Sequence, residues 1–190
     1  MNKISLAWRV ELDMLLAAHA DLPFSRFVQV ATVRADGRPA NRTLTFRFFM
    51  DDERLLFTAD ARTEKMEQID KNPWAELCWY FTEARVQMRL LGKMARLDGD
   101  ESEEIQLARR RTWQDRTNAS RQSFTWPAAG SPLSPASAFE CSTPDEPPST
   151  FAMLAFSPER VETLDLARHL HERTVHIKEA GRWQVARINP

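Results

Sequence analysis

Residues 27–50 read FVQVATVRADGRPANRTLTFRFFM, and this stretch decides the fold. From Phe27 to Val33 most residues are β-branched or aromatic, the composition of a strand. Ala35-Asp36-Gly37-Arg38-Pro39 then supplies turn chemistry, and a second strand-like run follows from Ala40 to Met50. Two such runs around so short a turn predict an antiparallel hairpin.

The pattern continues on both sides. Downstream, Asp51-Asp52 turns the chain into a third strand, Arg54 to Thr58, and Thr63 to Lys71 reads as a short helix stopped by Asn72-Pro73. Trp74 to Phe81 and Val86 to Leu97 form two further strands, joined at Thr82-Glu83-Ala84 and closed by Asp98-Gly99-Asp100. Five strands in fewer than a hundred residues predict a barrel. Upstream, Ser5 reads as a cap for a helix whose apolar face is Trp8, Leu12, Leu15 and Leu16, ending before Pro23. Beyond the barrel, an acidic start at Asp100 to Glu104 leads through Ile105, Leu107 and Ala108 to the basic run Arg109 to Arg111, a helix with favourable dipole placement at both ends. The Pro-, Ser- and Ala-rich stretch 126–149 is too broken for regular structure and reads as a functional loop or a mobile lid. Strands resume at Phe151 to Phe156, Val161 to Leu166, Val175 to Lys178 and Trp183 to Ile188. The expected architecture is mainly β: one antiparallel barrel domain over residues 1–190 with peripheral helices.

Composition narrows the function. With 190 residues, 43% hydrophobic and 28% charged, the chain has the balance of one ordinary globular domain. A formal net charge of −1 gives no reason to expect nucleic-acid binding. No signal-peptide run opens the chain and no stretch approaches the roughly 20 apolar residues of a membrane helix, so neither membrane nor nucleic acid is expected as a partner and the cytoplasm is the expected location. Cys78 and Cys141 stand far apart, outside any Cys-x-x-Cys pair. His169 and His171 are close but lack a Glu or Cys at ligand spacing, so no metal is expected. The five glycines form neither a Gly-x-Gly-x-x-Gly turn nor a Walker loop, which leaves any phosphate to be held by side chains and ordinary backbone amides.

The basic residues of the barrel offer such side chains. Arg42 and Arg47 stand five apart, which on a flat strand places them on opposite faces; one bulge would bring them together. On the residues alone both read first as solvated strand arginines, because exposed arginine is the rule. Arg62 and Lys65 flank the start of the short helix, where a planar fork and a compact point charge can together neutralise a phosphate dianion, or simply pair with Glu64 and Glu67. Gln87 carries a carboxamide that donates and accepts at once, as the pyrimidine edge of a flavin asks, or it is a surface glutamine. The aromatic set Trp74, Trp79, Tyr80 and Phe81 reads as core.

As a set these residues resemble the pyridoxamine 5'-phosphate oxidase family of FMN-binding split barrels, particularly its branch of oxidase-related flavoproteins. The resemblance runs through Arg42-Thr43-Leu44-Thr45-Phe46-Arg47, the pair Phe57-Thr58, the basic turn of Arg62 and Lys65, and the helix end Glu67-Gln68-Ile69-Asp70-Lys71-Asn72-Pro73. It continues through Gln87 to Gly92-Lys93, Ser157-Pro158-Glu159, His169-Leu170-His171-Glu172-Arg173, Trp183 and the closing Asn189-Pro190. It implies FMN as cofactor, its phosphate held by Arg42, Arg62 and Lys65, with Thr43, Leu44, Thr45, Phe57 and Thr58 also in the cofactor site. Gln87 would address the ring, with Arg47 and Arg173 near ring and substrate.

For the substrate, the family's Tyr, Arg and Ser spaced by fours are matched by Thr117, Arg121 and Thr125, without the Tyr, and the Arg opening its carboxyl-terminal motif is matched by His169. The resemblance therefore implies Arg47, Arg121, Thr125, His169 and His171 as substrate residues. The implied activity is oxidation of pyridoxamine or pyridoxine 5'-phosphate or a similar small molecule by a homodimer with FMN at its interface. Two alternatives stay open: an FMN-dependent reductase fed by NAD(P)H, and a non-catalytic flavin-binding module.

Overall fold

The hairpin forms where the β-branched run and the Asp36-Gly37 turn place it. In the computed structural model, which describes residues 6–50, 53–97 and 102–190, β1 (Phe27–Val33) pairs antiparallel with β2 (Pro39–Phe49), and Gly37 at a φ of +82° takes the left-handed position of the turn. Val28, Val30 and Thr32 of β1 and Ala40, Leu44 and Phe46 of β2 are buried, while Gln29 and Thr43 face out. The first helix, α1 (Ala7–Ala18), sends Trp8 and Leu12 into the same core, with Trp8 against Phe49 and Trp183. Its expected cap, Ser5, lies outside the described residues, as do the turn at Asp51-Asp52 and that at Asp98 to Asp100.

β3 (Leu55–Asp60), α2 (Glu64–Lys71), β4 (Trp74–Phe81) and β5 (Val86–Arg96) follow in the expected order. The next helix, α3 (Glu103–Gln114), extends one turn past the basic run, and α4 (Asn118–Gln122) adds a short segment after it. β6 (Phe151–Asp165), β7 (Glu172–Glu179) and β8 (Arg182–Ile188) complete one eight-stranded sheet ordered β3-β2-β1-β4-β5-β6-β7-β8. A further pairing of β3 with β6 closes the first six strands into a ring. The ring itself has no open edge, β8 being the edge of the extension, and the core it encloses includes the fully buried Phe57, Leu77, Met88 and Phe156. No described helix is long and apolar enough to cross a membrane.

One expectation is corrected. The runs at 151–156 and 161–166 are not separate strands: Pro158 does not end the strand but sits at a register shift opposite Gly92, where the ladder skips a bond that a proline cannot make. Gly92 is required there, because a Cβ would lie 2.2 Å from the Ser157 carbonyl oxygen. The first half of β6 therefore closes the ring, and the second half leaves it to carry β7 and β8. The stretch 126–149 has no strand or α-helix, as its composition implies. This stretch is a packed strap with a 3-10 turn at Ala136–Phe139, held by Trp113 Nε1 donating to the carbonyls of Pro144 and Asp145, by Arg109 donating to that of Pro148, and by the ring contact of Trp126 with Phe139.

Candidate functional site

Arg42 lies on the core-facing side of β2, at the end of the ring where α2 packs against β1. Its Nη1 donates to Thr32 Oγ1 at 2.5 Å and to the Val30 carbonyl at 3.3 Å, and its Nη2 donates to Gln68 Oε1 at 3.0 Å. The Thr32 hydroxyl donates to the same Gln68 oxygen at 2.5 Å, so side chains from β1, β2 and α2 close a ring of hydrogen bonds. Thr32 and Gln68 are buried, and Gln68 Nε2 has no partner among the described residues. Lys65, on the first turn of α2, donates to Thr63 Oγ1 at 2.6 Å. Burial and the neighbouring Arg42 push the Lys65 ammonium below its ordinary range against the pull of Asp60, and burial likewise lowers the Arg42 guanidinium.

Arg47 occupies a different corner. Phe46 pairs with Phe57 and Phe48 with Leu56, so Arg47 is the extra residue of a β-bulge, re-aimed onto the outer face of β3. Its Nε donates to Thr58 Oγ1 at 3.2 Å, and Arg116 Nη1 donates to the same hydroxyl at 3.0 Å. Arg116 follows α3, whose end is fixed by the fully buried Trp113, and its guanidinium lies over the rings of Phe124 and Phe151 at 4.9 and 5.4 Å. Burial lowers the Arg47 guanidinium, with Arg26 adding repulsion; burial and Arg47 push Arg116 down to about 10. Among the described residues the side-chain hydrogen bonds of both arginines go to Thr58 and no carboxylate pairs with either, and Arg116 Nε is buried without a partner. Two partly desolvated cations converging on one neutral hydroxyl form a receptor for an anion.

The expected bulge thus exists, but Arg42 and Arg47 keep separate sets of partners. Arg62 is engaged elsewhere: its Nε and Nη2 bond Asp60 and its Nη1 donates to the Trp126 carbonyl at 2.6 Å. Burial would raise the Asp60 carboxyl, but the bonds from Arg62 outweigh it and hold it below its usual range. Arg62 so ties the strap to β3, beside a cavity of about 300 Å³ walled by Asp60, Trp126, Pro127, Leu133 and Phe139. Leu44 and Phe57 are packed in the core, which leaves only their backbone to a ligand, whereas Thr43 and Thr45 face outward.

Gln87 stands on the outer face of β5, opposite Tyr80 of β4 and Leu164 of β6. In the ring order β5 is three strands from β2 in either direction, so Gln87 and Arg47 point away from the barrel on opposite walls. Arg173 shares the Gln87 wall, where its Nε donates to Glu162 Oε2 at 3.1 Å. Burial works against the Glu162 carboxylate, yet bonds from Arg173 and Arg160 keep it below its usual range. His169 and His171 are exposed in the bend between β6 and β7, without a partner among the described residues. Arg121 donates to Asn118 Oδ1 at 2.5 Å while its Nε is buried without a partner among the described residues, and Thr125 donates to the Gln122 carbonyl at 2.8 Å.

Sequence reasoning missed Arg116, Thr32 and Gln68. A spacing by fours also fits Thr112, Arg116 and Ser120, with the Ser in its place, and it is this set whose Arg reaches β3. Gln68 lies within the helix-end motif of the resemblance but carries no role there, and nothing in the sequence marks Thr32; what sets both apart is burial.

The family model described as pyridoxamine 5'-phosphate oxidase, FMN-binding domain, matches residues 5–98. The pyridoxine/pyridoxamine 5'-phosphate oxidase 2 of Arabidopsis thaliana is 30% identical over 164 residues, covering 84% of this chain and 83% of the plant protein. The corresponding oxidase of Herminiimonas arsenicoxydans is 27% identical over 187 residues, covering 92% and 84%. Among solved structures, a pyridoxamine 5'-phosphate oxidase-related, FMN-binding protein of Nostoc punctiforme superposes with a TM-score of 0.90 at 38% identity, over 97% of this chain and 98% of that one. PhzG of Burkholderia lata shares the fold, with a TM-score of 0.82 at 19% identity over 100% and 95% of the two chains.

Proposed function

The chain belongs to the pyridoxamine 5'-phosphate oxidase family of FMN-binding proteins, and from that premise we propose that it is an oxidoreductase acting on a small molecule with an anionic group. FMN is the cofactor, and the residues fit it. Arg42 and Lys65 supply two cations at one corner, and the buried Gln68 Nε2 is a donor still lacking an acceptor. When bound, FMN supplies a two-electron acceptor.

The observation that carries the proposal is the convergence of Arg47 and Arg116 on Thr58 without a counter-charge. With the cofactor phosphate assigned to Arg42 and Lys65, this second corner is left for the anion of the substrate. Oxidation of pyridoxamine 5'-phosphate balances as amine plus O₂ plus water giving aldehyde, ammonia and H₂O₂. Arg47 and Arg116 would hold the phosphate of that amine and so fix the oxidised carbon against the ring.

Because Gln87 and Arg173 stand on the wall opposite Arg47, one protomer does not gather all the expected cofactor residues around one ligand. A C2 dimer would apply the Gln87 wall of one copy to the Arg47 wall of the other and build two equivalent sites. Phe27, Tyr80 and Leu91 are exposed apolar side chains on the outer faces of β1, β4 and β5, a surface suited to that contact.

The test is the visible spectrum of the purified protein, followed by turnover of pyridoxamine 5'-phosphate and of unphosphorylated pyridoxamine under oxygen. Flavin absorption with turnover of the phosphorylated amine alone is the expected result, and failure to bind FMN overturns the proposal. A second reading keeps FMN but makes the protein a reductase fed by a nicotinamide cofactor. It is favoured by the missing Tyr, since the sole tyrosine, Tyr80, lies on β4 far from α3, and Thr112 spends its hydroxyl on the Ala108 carbonyl. Anaerobic bleaching by NADPH without turnover of the amine would select it.

A further inference from the structure

The hydrogen-bond ring around Arg42 uses one part of the guanidinium and leaves another. Nη1 spends its protons on Thr32 Oγ1 and the Val30 carbonyl, and Nη2 spends one on Gln68 Oε1. Nε–H and the second Nη2–H remain without partners among the described residues. Those two N–H groups point in parallel from one edge of the guanidinium plane, the edge that binds two oxygens of one phosphate. The partners that consume the other edge are uncharged. They fix the orientation of Arg42 without neutralising it, as a carboxylate at position 68 would.

The ring also settles which way the Gln68 amide lies. Its oxygen receives both Thr32 Oγ1 and Arg42 Nη2, and a flipped amide would set N–H against N–H. Nε2 must therefore point away from Arg42, as a buried donor that a ligand or water can satisfy. Gln68 is 4% exposed and Thr32 2%, so neither is a surface residue whose bonds water would replace.

We propose that Thr32 and Gln68 are positioning residues that hold Arg42 with its Nε/Nη2 edge presented to a phosphate dianion, and so set the preference of this chain for a phosphorylated flavin over the same flavin without phosphate. The proposal rests on the FMN reading above. Each polar link that orients a charged group is worth about a factor of ten in affinity.

The experiment titrates purified apoprotein with FMN and, separately, with riboflavin, following the quenching of flavin fluorescence. Thr32→Val and Gln68→Met keep side-chain volume and remove the polar links. Each is expected to weaken FMN about tenfold and leave riboflavin unchanged. Thr32→Ser keeps the hydroxyl and should restore FMN affinity to the wild-type value. Gln68→Glu keeps an acceptor but adds a negative charge, and should weaken FMN more than Gln68→Met while again sparing riboflavin. Equal losses for FMN and riboflavin would overturn the proposal by showing a scaffold role, as would unchanged FMN affinity in both Thr32→Val and Gln68→Met. If one variant does not fold, the other and the Thr32→Ser control decide. Wild-type protein that binds neither flavin would instead remove the FMN reading itself.

Discussion

The two arginines of β2 stand five residues apart and are held in opposite ways. Arg42 lies in regular strand, and its Nη groups are fixed by uncharged partners from two strands and a helix. Arg47 is the extra residue of a bulge and shares a single hydroxyl with a second arginine. A guanidinium oriented by neutral, buried partners keeps its charge in one direction, which suits a ligand whose shape never varies. A guanidinium crowded against a like charge has little bonding of its own and gains most when an anion arrives, which suits a molecule that enters and leaves at each turnover. The difference separates a corner organised in advance from one that its ligand completes.

The most disruptive way to break this contrast is to remove the oriented charge. Arg42→Ala should raise the Kd for FMN at least about a hundredfold, since two charge-assisted bonds at about 1.5–3 kcal/mol each are lost. A fluorescence titration checks it, and a loss below tenfold would show that Arg42 is not the main grip.

The matching change at the other corner is Arg116→Ala, expected to raise KM for a phosphorylated substrate about tenfold or more with FMN affinity unaltered. It should leave the thermal midpoint of the apoprotein unchanged or slightly higher, because the charge removed is partly buried and repelled by Arg47. Steady-state kinetics beside a melting curve separates the two effects. If Arg116→Ala weakens FMN as much as substrate, the two corners are one.

How far the sequence foretells these corners depends on what kind of signal each carries. β1, α2 and β4 are legible almost to the residue, because the Asn72-Pro73 stop and the β-branched composition agree. β6 is not legible as one strand. A proline inside an apolar run signals a break, and only the bulge opposite Gly92 lets Pro158 stay in the ladder. The strap is legible in its lack of regular structure but not in its contacts, since Trp113 and Arg109 bind its carbonyls from elsewhere in the chain. At the site, Arg42 and Arg47 stand out as basic residues within a strand of apolar and hydroxyl side chains, and Lys65 as one at a helix start. Arg116 hides behind a second motif with the same spacing by fours, and Thr32 is an ordinary β-branched residue among valines until a guanidinium is seen to need its hydroxyl.

The smallest expected effect sharpens the contrast by pH, through Lys65. Burial and Arg42 lower its folded-state pKa below the ordinary lysine value of 10.5. Between those two values the unfolded chain binds a proton that the folded apoprotein does not, so apoprotein stability should rise with pH across that window and gain nothing below it. FMN affinity should run the other way. The phosphate needs the ammonium form, so binding is at full strength below the lowered pKa and weakens as pH rises through it. Melting curves and FMN titrations of wild type and Lys65→Met over the alkaline range measure both slopes, and the substitution should remove both. At the Thr58 corner, Arg47 and Arg116 stay charged at neutral pH even with Arg116 down at about 10, so KM for the anionic substrate should hold level until that value is approached. If FMN affinity stays flat while KM rises first, the softer cation belongs to the substrate corner, and the assignment of a prepared corner to Arg42 and Lys65 must be reversed.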